Sequence, residues 1–384
     1  MSVTVPGGFV ASGVIAQLKS TGKPDLALVQ NQGPRQAAAA VFTSNRAKAN
    51  PILWSERVIL DGTVSAIVLN SGGANCFTGS FGFQTSHATA EAVADALGVS
   101  AGDVLVCSTG LIGVGDQEFR DKILTNIPAA AAALSTDGHT AAHAILTTDT
   151  VAKTAEFRGE GWSIGAMAKG AGMLAPGLAT MLVVVTTDAD LGSADLDQAL
   201  RAATRVSFDR LDSDGCMSTN DQVTLMASGA SGIVPDLLTF TEALTAVCLE
   251  LAHKLQGDAE GATHNINIEV VNAASVRDAE VVGRSVARNN LFKAAIFGND
   301  PNWGRVLAAI GTTDAKFDPY LVDVWMNGVR VCHTGEPDQP RELVDLQPRD
   351  VHVLIDLLAG SETATIYTND LTHDYVHENS AYSS

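Results

Sequence analysis

Basic charge is scarce in this chain: 24 Lys and Arg stand against 43 Asp and Glu, a formal net charge of −19 over 384 residues. A surface of that sign repels phosphate backbones and anionic headgroups, which argues against nucleic acid and membranes as partners. Long apolar runs are missing as well. The stretch 173–185 is interrupted by Pro176, Gly177 and Thr180 and falls short of the roughly 20 residues that cross a bilayer. The cysteines Cys76, Cys107, Cys216, Cys248 and Cys332 are widely spread and contain no C-x-x-C pair, which argues against zinc or dithiol chemistry and fits reduced thiols. The start of the chain has neither a basic segment followed by an apolar core nor an Arg-rich amphipathic stretch, so a cytoplasmic location is expected.

What is present is an ordinary globular composition, 46% hydrophobic and 17% charged with 35 glycines, at a length that suits two lobes or two packed domains. Strand-like runs at 26–30, 66–70 and 104–108 alternate with helical stretches such as 86–97, which predicts an α/β fold with helices covering sheets. A Thr239-x-x-Glu242 capping box is expected to open a helix whose apolar stripe is Leu244, Val247, Leu251 and Leu255, with Cys248 in the core beside it. Leu196, Leu200, Ala203 and Ser207 mark a second amphipathic helix after an Asp-rich first turn. Strands are expected at 321–325, 351–355 and 363–367, followed by a polar tail from Asn369.

The most unusual local pattern is the Gly/Pro-broken loop 167–179, which leads through Ala179-Thr180 directly into the buried-type run Met181-Leu-Val-Val-Val185. A threonine hydroxyl is a weak nucleophile until a base takes its proton, and the α-amine of an N-terminal threonine can serve as that base. That arrangement requires cleavage of the Ala179–Thr180 bond, which Thr180 Oγ1 could initiate by attacking the Ala179 carbonyl. A β-branched residue that merely opens a strand fits the same local pattern.

An acyl-transfer nucleophile also needs donors aimed at the developing oxyanion. The turn Cys107-Ser-Thr-Gly-Leu-Ile-Gly113 offers them just past a predicted strand, with Thr109 and Gly110 as the candidates. The turn has no G-K-[ST] or G-x-G-x-x-G, so a phosphate cradle is the weaker reading, and a plain turn is the commonest alternative. The loops at 70–76 and 298–305 have the small polar composition of functional loops and of structural turns alike. His373 and His377 have metal-ligand spacing but no accompanying motif, and are read as solvated.

Several of these segments together carry a family resemblance. Lys169-Gly-Ala-Gly-Met-Leu-Ala-Pro-Gly-Leu-Ala-Thr-Met181 resembles the processing and nucleophile motif of the glutamate N-acetyltransferase/ornithine acetyltransferase family. The segments 70–75, 108–113, 144–149, 218–221, 258–261, 300–305 and 375–384 resemble it as well, in family order over essentially the whole chain.

The resemblance implies an αββα sandwich of mixed sheets, cut into an α chain (1–179) and a β chain (180–384) that pair as a heterotetramer. It implies a ping-pong transfer of acetyl from N2-acetyl-L-ornithine to L-glutamate through Thr180, within arginine biosynthesis. Thr109 and Gly110 would stabilise the oxyanion, and Thr147, Lys169, Thr180, Glu260, Asn379 and Ser384 would contact substrate. No cofactor or metal is implied, and acetyl-CoA is left open as a further substrate.

Two departures bear on substrate preference: His264 stands where the family usually has a basic residue, and 114–118 differs from the usual sequence after the oxyanion turn. The alternatives are a self-processed amidase or aminopeptidase in which water accepts the acyl group, a paralogue serving secondary metabolism, a nucleotide-binding enzyme, and a non-catalytic amino-acid-binding protein.

Overall fold

The structure is a computed structural model that describes residues 2–175 and 181–381. The expected cleavage site Ala179–Thr180, the approach at Pro176-Gly177 and the expected contact Ser384 therefore lie outside the described residues. The chain divides into two compact units, one of residues 1–171, 177–209 and 217–255, the other of 172–176, 210–216 and 256–384.

The first unit contains strands β1 Phe9–Val14, β2 Leu26–Asn31, β3 Ala37–Phe42, β4 Ala66–Ser71, β5 Val104–Thr109, β6 Lys153–Arg158, β7 Ser163–Lys169, β8 Leu182–Thr187 and β9 Gln222–Ala227. Its helices are α1 Asn50–Val58, α2 Gly79–Leu97, α3 Gln117–Ala132, α4 His139–Ala144, α5 Ser193–Val206 and α6, which starts at Leu237. The strands form two mixed sheets, in the orders β1-β2-β4-β5 and β3-β9-β8-β7-β6. Within them β4 runs parallel to β5 and β8 parallel to β9, and the other neighbours are antiparallel.

Strict alternation along the strands sets the layers, because successive side chains leave a strand on opposite faces. Ala27, Val29, Ile67, Leu69, Leu105 and Cys107 face a core shared with Met167, Leu182, Val184 and Met226 of the other sheet. Leu26, Leu28, Ala66, Val68, Val104 and Val106 face the opposite way, onto Ala90 and Val93 of α2 and Phe119, Ile123 and Ile127 of α3. On the far side of the second sheet Trp162 stacks on Phe240 of α6 at 5.5 Å, and Lys254 of α6 donates to the Thr154 carbonyl of β6 at 2.6 Å. The first unit is thus helix, sheet, sheet, helix, as expected.

The amphipathic helix around Leu196 is α5, with Leu196, Leu200 and Ala203 fully buried and Ser207 just past its end. Cys248 is buried. The α6 start differs from expectation. The helix opens at Leu237, and Asp236, not Thr239, accepts the orphan amide of Thr239 at 3.1 Å. An aspartate caps as well as a threonine, and this one stands immediately before the first helical residue.

The second unit contains the six-stranded sheet β13-β12-β11-β14-β10-β15. Its strands are β10 Asn265–Ala273, β11 Asp323–Met326, β12 Val329–His333, β13 Glu336–Pro337, β14 Asp350–Asp356 and β15 Glu362–Asn369. Helices α7 Val276–Ala287, α8 Asn290–Phe297 and α9 Trp303–Ile310 bury Val282, Val286, Phe292, Ile296, Val306 and Ile310 against Ile268, Val353 and Ile366 of the sheet.

The expected polar tail is instead a helix, α10 His373–Ala381, which has no buried residue. Thr372 Oγ1 accepts the Tyr375 amide at 2.9 Å, which satisfies one of the orphan donors of its first turn. His373 and His377 are exposed on α10. Among the described residues no helix is long and apolar enough to cross a membrane.

Candidate active site

Parallel strands β4 and β5 end side by side, and the turns that follow them are laced together. The Thr109 carbonyl accepts the amides of Gly72 (2.9 Å) and Gly73 (3.0 Å), while Ser108 Oγ donates to Asn70 Oδ1 (2.6 Å). Asn220 ties both turns down by donating to the carbonyls of Ala74 (2.7 Å) and Ser108 (2.9 Å). Gly110 has φ +132°, and a Cβ there would stand 2.5 Å from Gly73 N, so only glycine fits this close approach. The expected oxyanion pair Thr109–Gly110 therefore sits on a rigid platform.

Lys169 closes β7 with a side chain that is 1% exposed, and its Nζ donates to Thr109 Oγ1 at 3.2 Å. Two of the expected site residues thus meet directly. Thr147 lies nearby in the loop after α4, where its amide donates to Asp149 Oδ2 at 3.1 Å.

Asp149, which sequence reasoning passed over, organises this side of the site. Its Oδ1 accepts the Gly170 amide at 2.7 Å and Lys153 Nζ at 2.6 Å, and neither side chain of the Asp149–Lys153 pair touches solvent. Burial alone would raise the Asp149 pKa. The ammonium groups of Lys169 and Lys153 and the Lys153 and Gly170 hydrogen bonds outweigh it and hold the carboxyl down at about 2.

A second buried carboxyl stands where β8 begins. Met181, the residue after the expected nucleophile, donates its amide to Asp221 Oδ1 at 3.0 Å, and its carbonyl accepts from Gln222 at 3.2 Å. Asp221 is fully buried and its Oδ2 has no hydrogen-bond partner among the described residues. Burial pushes it well above the usual carboxylate range despite the Met181 amide. One neighbourhood thus holds a carboxyl kept ionised and another pushed toward neutrality.

Glu260 and Asn379 belong to the second unit, where Asn379 Nδ2 donates to Glu260 Oε2 at 3.0 Å. A Cβ on Gly172 would stand 2.5 Å from that carboxylate, so the glycine lets the chain pass close to it. Gly261, at φ +61°, admits the backbone of Tyr375 in the same way. Around Glu260 the carboxyl of Glu378 is pushed up, by burial first and then by Glu260 and Asp374.

His264 lies deeper in the same unit. Its Nδ1 faces Asp370 Oδ2 at 2.8 Å and its Nε2 faces the Leu346 carbonyl at 3.1 Å. Each ring nitrogen thus faces an acceptor, which fixes the orientation of the imidazole. Among the described residues no group of His, Cys, Asp and Glu has the arrangement of a metal site.

Amide-rich turns, a buried ammonium on the Thr109 hydroxyl and an α/β sandwich that delivers a strand entrance beside a buried carboxyl define the class: an enzyme scaffold built for anionic intermediates, as in acyl transfer. Comparison with known proteins narrows this. The ArgJ family model matches residues 10–384, and the chain belongs to the ArgJ family.

The chain is 62% identical to the arginine biosynthesis bifunctional protein ArgJ of Streptomyces coelicolor over 385 residues, covering 100% of both chains. It is 52% identical to the protein of that name from Mycobacterium leprae, covering 100% of this chain and 96% of the relative. Among solved structures, ornithine acetyltransferase from Mycobacterium tuberculosis complexed with ornithine is 47% identical. That match covers 47% of this chain and 96% of that one, with a TM-score of 0.44.

Proposed function

We propose that this protein is an acetyltransferase of arginine biosynthesis that moves acetyl from N2-acetyl-L-ornithine to L-glutamate through an acetyl-Thr180 intermediate. Full-length identity of 62% to a protein named for arginine biosynthesis is the observation that carries the reading. The geometry supports it: Lys169 on Thr109, with Gly110 beside them, is an arrangement suited to a developing oxyanion.

The chain first cleaves itself between Ala179 and Thr180. The hydroxyl of Thr180 attacks the Ala179 carbonyl, its proton passes to the departing nitrogen, and water hydrolyses the resulting ester. The freed α-amine then serves as base, so that Thr180 takes acetyl from the donor and ornithine leaves. Glutamate accepts the acetyl group in the second half-reaction.

Thr147, Lys169, Glu260, Asn379 and Ser384 are the proposed substrate contacts. Lys169 and Glu260 supply one charge of each sign for amino-acid substrates. The relatives' names are of bifunctional proteins, and acetyl-CoA as a second acetyl donor is the companion reading. We assign the enzyme to the cytoplasm, as an assembly of two α and two β chains that requires no cofactor.

Intact mass with N-terminal sequencing, followed by a transfer assay on the same sample, tests the reading. Two chains, the second beginning Thr180-Met-Leu-Val, and acetylglutamate formed from acetylornithine are expected. A single uncut and inactive chain would overturn it, and release of free acetate without glutamate dependence would favour the hydrolase alternative.

A further inference from the structure

Lys19, in the loop between β1 and β2, remains unused by this scheme, yet the fold carries it to the same turns. Asp25 shapes that loop: its Oδ1 accepts the Ala16 amide (2.6 Å) and its Oδ2 the amides of Leu18 (2.6 Å) and Lys19 (3.0 Å). The Leu18 backbone packs on Gly72, where a Cβ would lie 2.9 Å from its carbonyl. Lys19 Nζ donates to the Leu146 carbonyl at 3.0 Å, one residue before Thr147.

The ammonium groups of Lys19, Lys153 and Lys169 thus all interact with Asp149 at the end of the β4–β5 platform, and those of Lys19 and Lys169 with each other, within a chain of net charge −19. They are not equivalent. Lys153 is sealed on Asp149, and Lys169 is buried on Thr109. Lys19 is half-buried, makes one hydrogen bond to a carbonyl, and has no ion pair among the described residues. An ammonium has three donors, so two remain to be used. Burial lowers its pKa, with Lys23 and Lys169 acting in the same direction and Asp25 and Asp149 opposing them. A carboxylate arriving there would relieve that cost.

We infer that Lys19 is a specificity-determining residue that receives the side-chain carboxylate of the acceptor amino acid. The inference rests on the proposed function and deepens it. Donor and acceptor share an α-carboxylate but differ in side-chain charge. A cation with spare donors favours the dicarboxylic acceptor and disfavours the side-chain ammonium that N2-acetyl-L-ornithine and ornithine both carry.

The test is steady-state acetyl transfer by the full-length Lys19→Met and Lys19→Arg enzymes, with L-glutamate varied at saturating N2-acetyl-L-ornithine and L-glutamine as the uncharged acceptor. Loss of one charge-assisted hydrogen bond corresponds to at least about a tenfold rise in KM for glutamate in Lys19→Met. KM for the donor should stay at the wild-type value or fall, and the extent of cleavage and the urea midpoint should stay at wild-type values. Preference for glutamate over glutamine should fall with the substitution, and Lys19→Arg should keep most of it.

An unchanged KM for glutamate overturns the inference. A parallel rise in donor and acceptor KM also overturns it, because Lys19 would then read the shared α-carboxylate. Failure of the wild-type enzyme itself to transfer acetyl to glutamate would instead refute the proposed function.

Discussion

Two buried aspartates respond oppositely to the same fold, and the difference lies in how completely each is compensated. Asp149 has both oxygens occupied and two lysines acting on it, and is held at about 2. A carboxyl held below its unfolded value stabilises the fold above that unfolded value, and the contribution is lost as pH falls toward the folded one. Asp149→Asn should therefore cost about 2–4 kcal/mol at pH 7, through loss of that contribution and of the buried ion pair to Lys153. The difference from wild type should shrink between about pH 4 and pH 2, as urea unfolding across that range would reveal.

Asp212, in the second unit, is paired with Arg288 at 2.8 Å through Oδ2, while its buried Oδ1 has no partner among the described residues. Burial outweighs Arg288 and Arg284 and pushes it up to about 6. Here the sign reverses. The folded state holds the proton more tightly than the unfolded chain, so stability falls as pH rises from about 4 to 6. Asp212→Asn should flatten that slope and leave the enzyme at least as stable at pH 7. A variant that keeps the wild-type slope would place the titration elsewhere.

At the scale of elements, what was legible in the sequence was whatever depends on near neighbours. The runs at 26–30, 66–70 and 104–108 became β2, β4 and β5 because their apolar residues feed two cores on opposite faces, a period-two signal that needs no partner to be seen. The cap of α6 was misplaced because Thr239-x-x-Glu242 and Asp236 both satisfy local capping chemistry and only the backbone chooses between them. Asp236→Ala should cost about 1 kcal/mol in urea unfolding and Thr239→Ala a few tenths. The reverse order would restore the threonine as cap.

The helix α10 was hidden for a different reason. It buries nothing, so no apolar stripe announces it, although Thr372 before an acidic first turn was a usable start signal. The candidate site was legible in part through the Gly110 turn and Lys169. Asp149, Lys153 and Lys19 were not, since each is an isolated charge in sequence. Asp149 and Lys153 pair four residues apart, but hydrogen bonds between segments far apart in the chain, such as Lys19 to Leu146 and Gly170 to Asp149, bring them together with Lys19 and Lys169.

At the scale of the whole molecule, the expected cut falls between strands that belong to one sheet. Lys169 at the end of β7 is paired with Leu182 at the start of β8, and β8 lies between β7 and β9. From the first piece, β3 pairs along its length with β9 of the second. The core between the sheets also draws on both sides, with Ile67, Leu69 and Leu105 among the residues before the cut and Leu182, Val184 and Met226 from those after it. Neither piece can bury these side chains alone, and exposing such a core would forfeit far more than one peptide bond supplies. The two pieces should therefore co-elute in native buffer, at high salt as at low, because the contact is mainly apolar and the ion pair across it, Arg35 with Asp190, is partly exposed. In urea they should separate at the concentration where the first unit unfolds, followed by far-UV circular dichroism and size exclusion on the same samples. Separation of folded pieces in native buffer would mean that each has a core of its own, contrary to the shared one between β4, β5, β8 and β9.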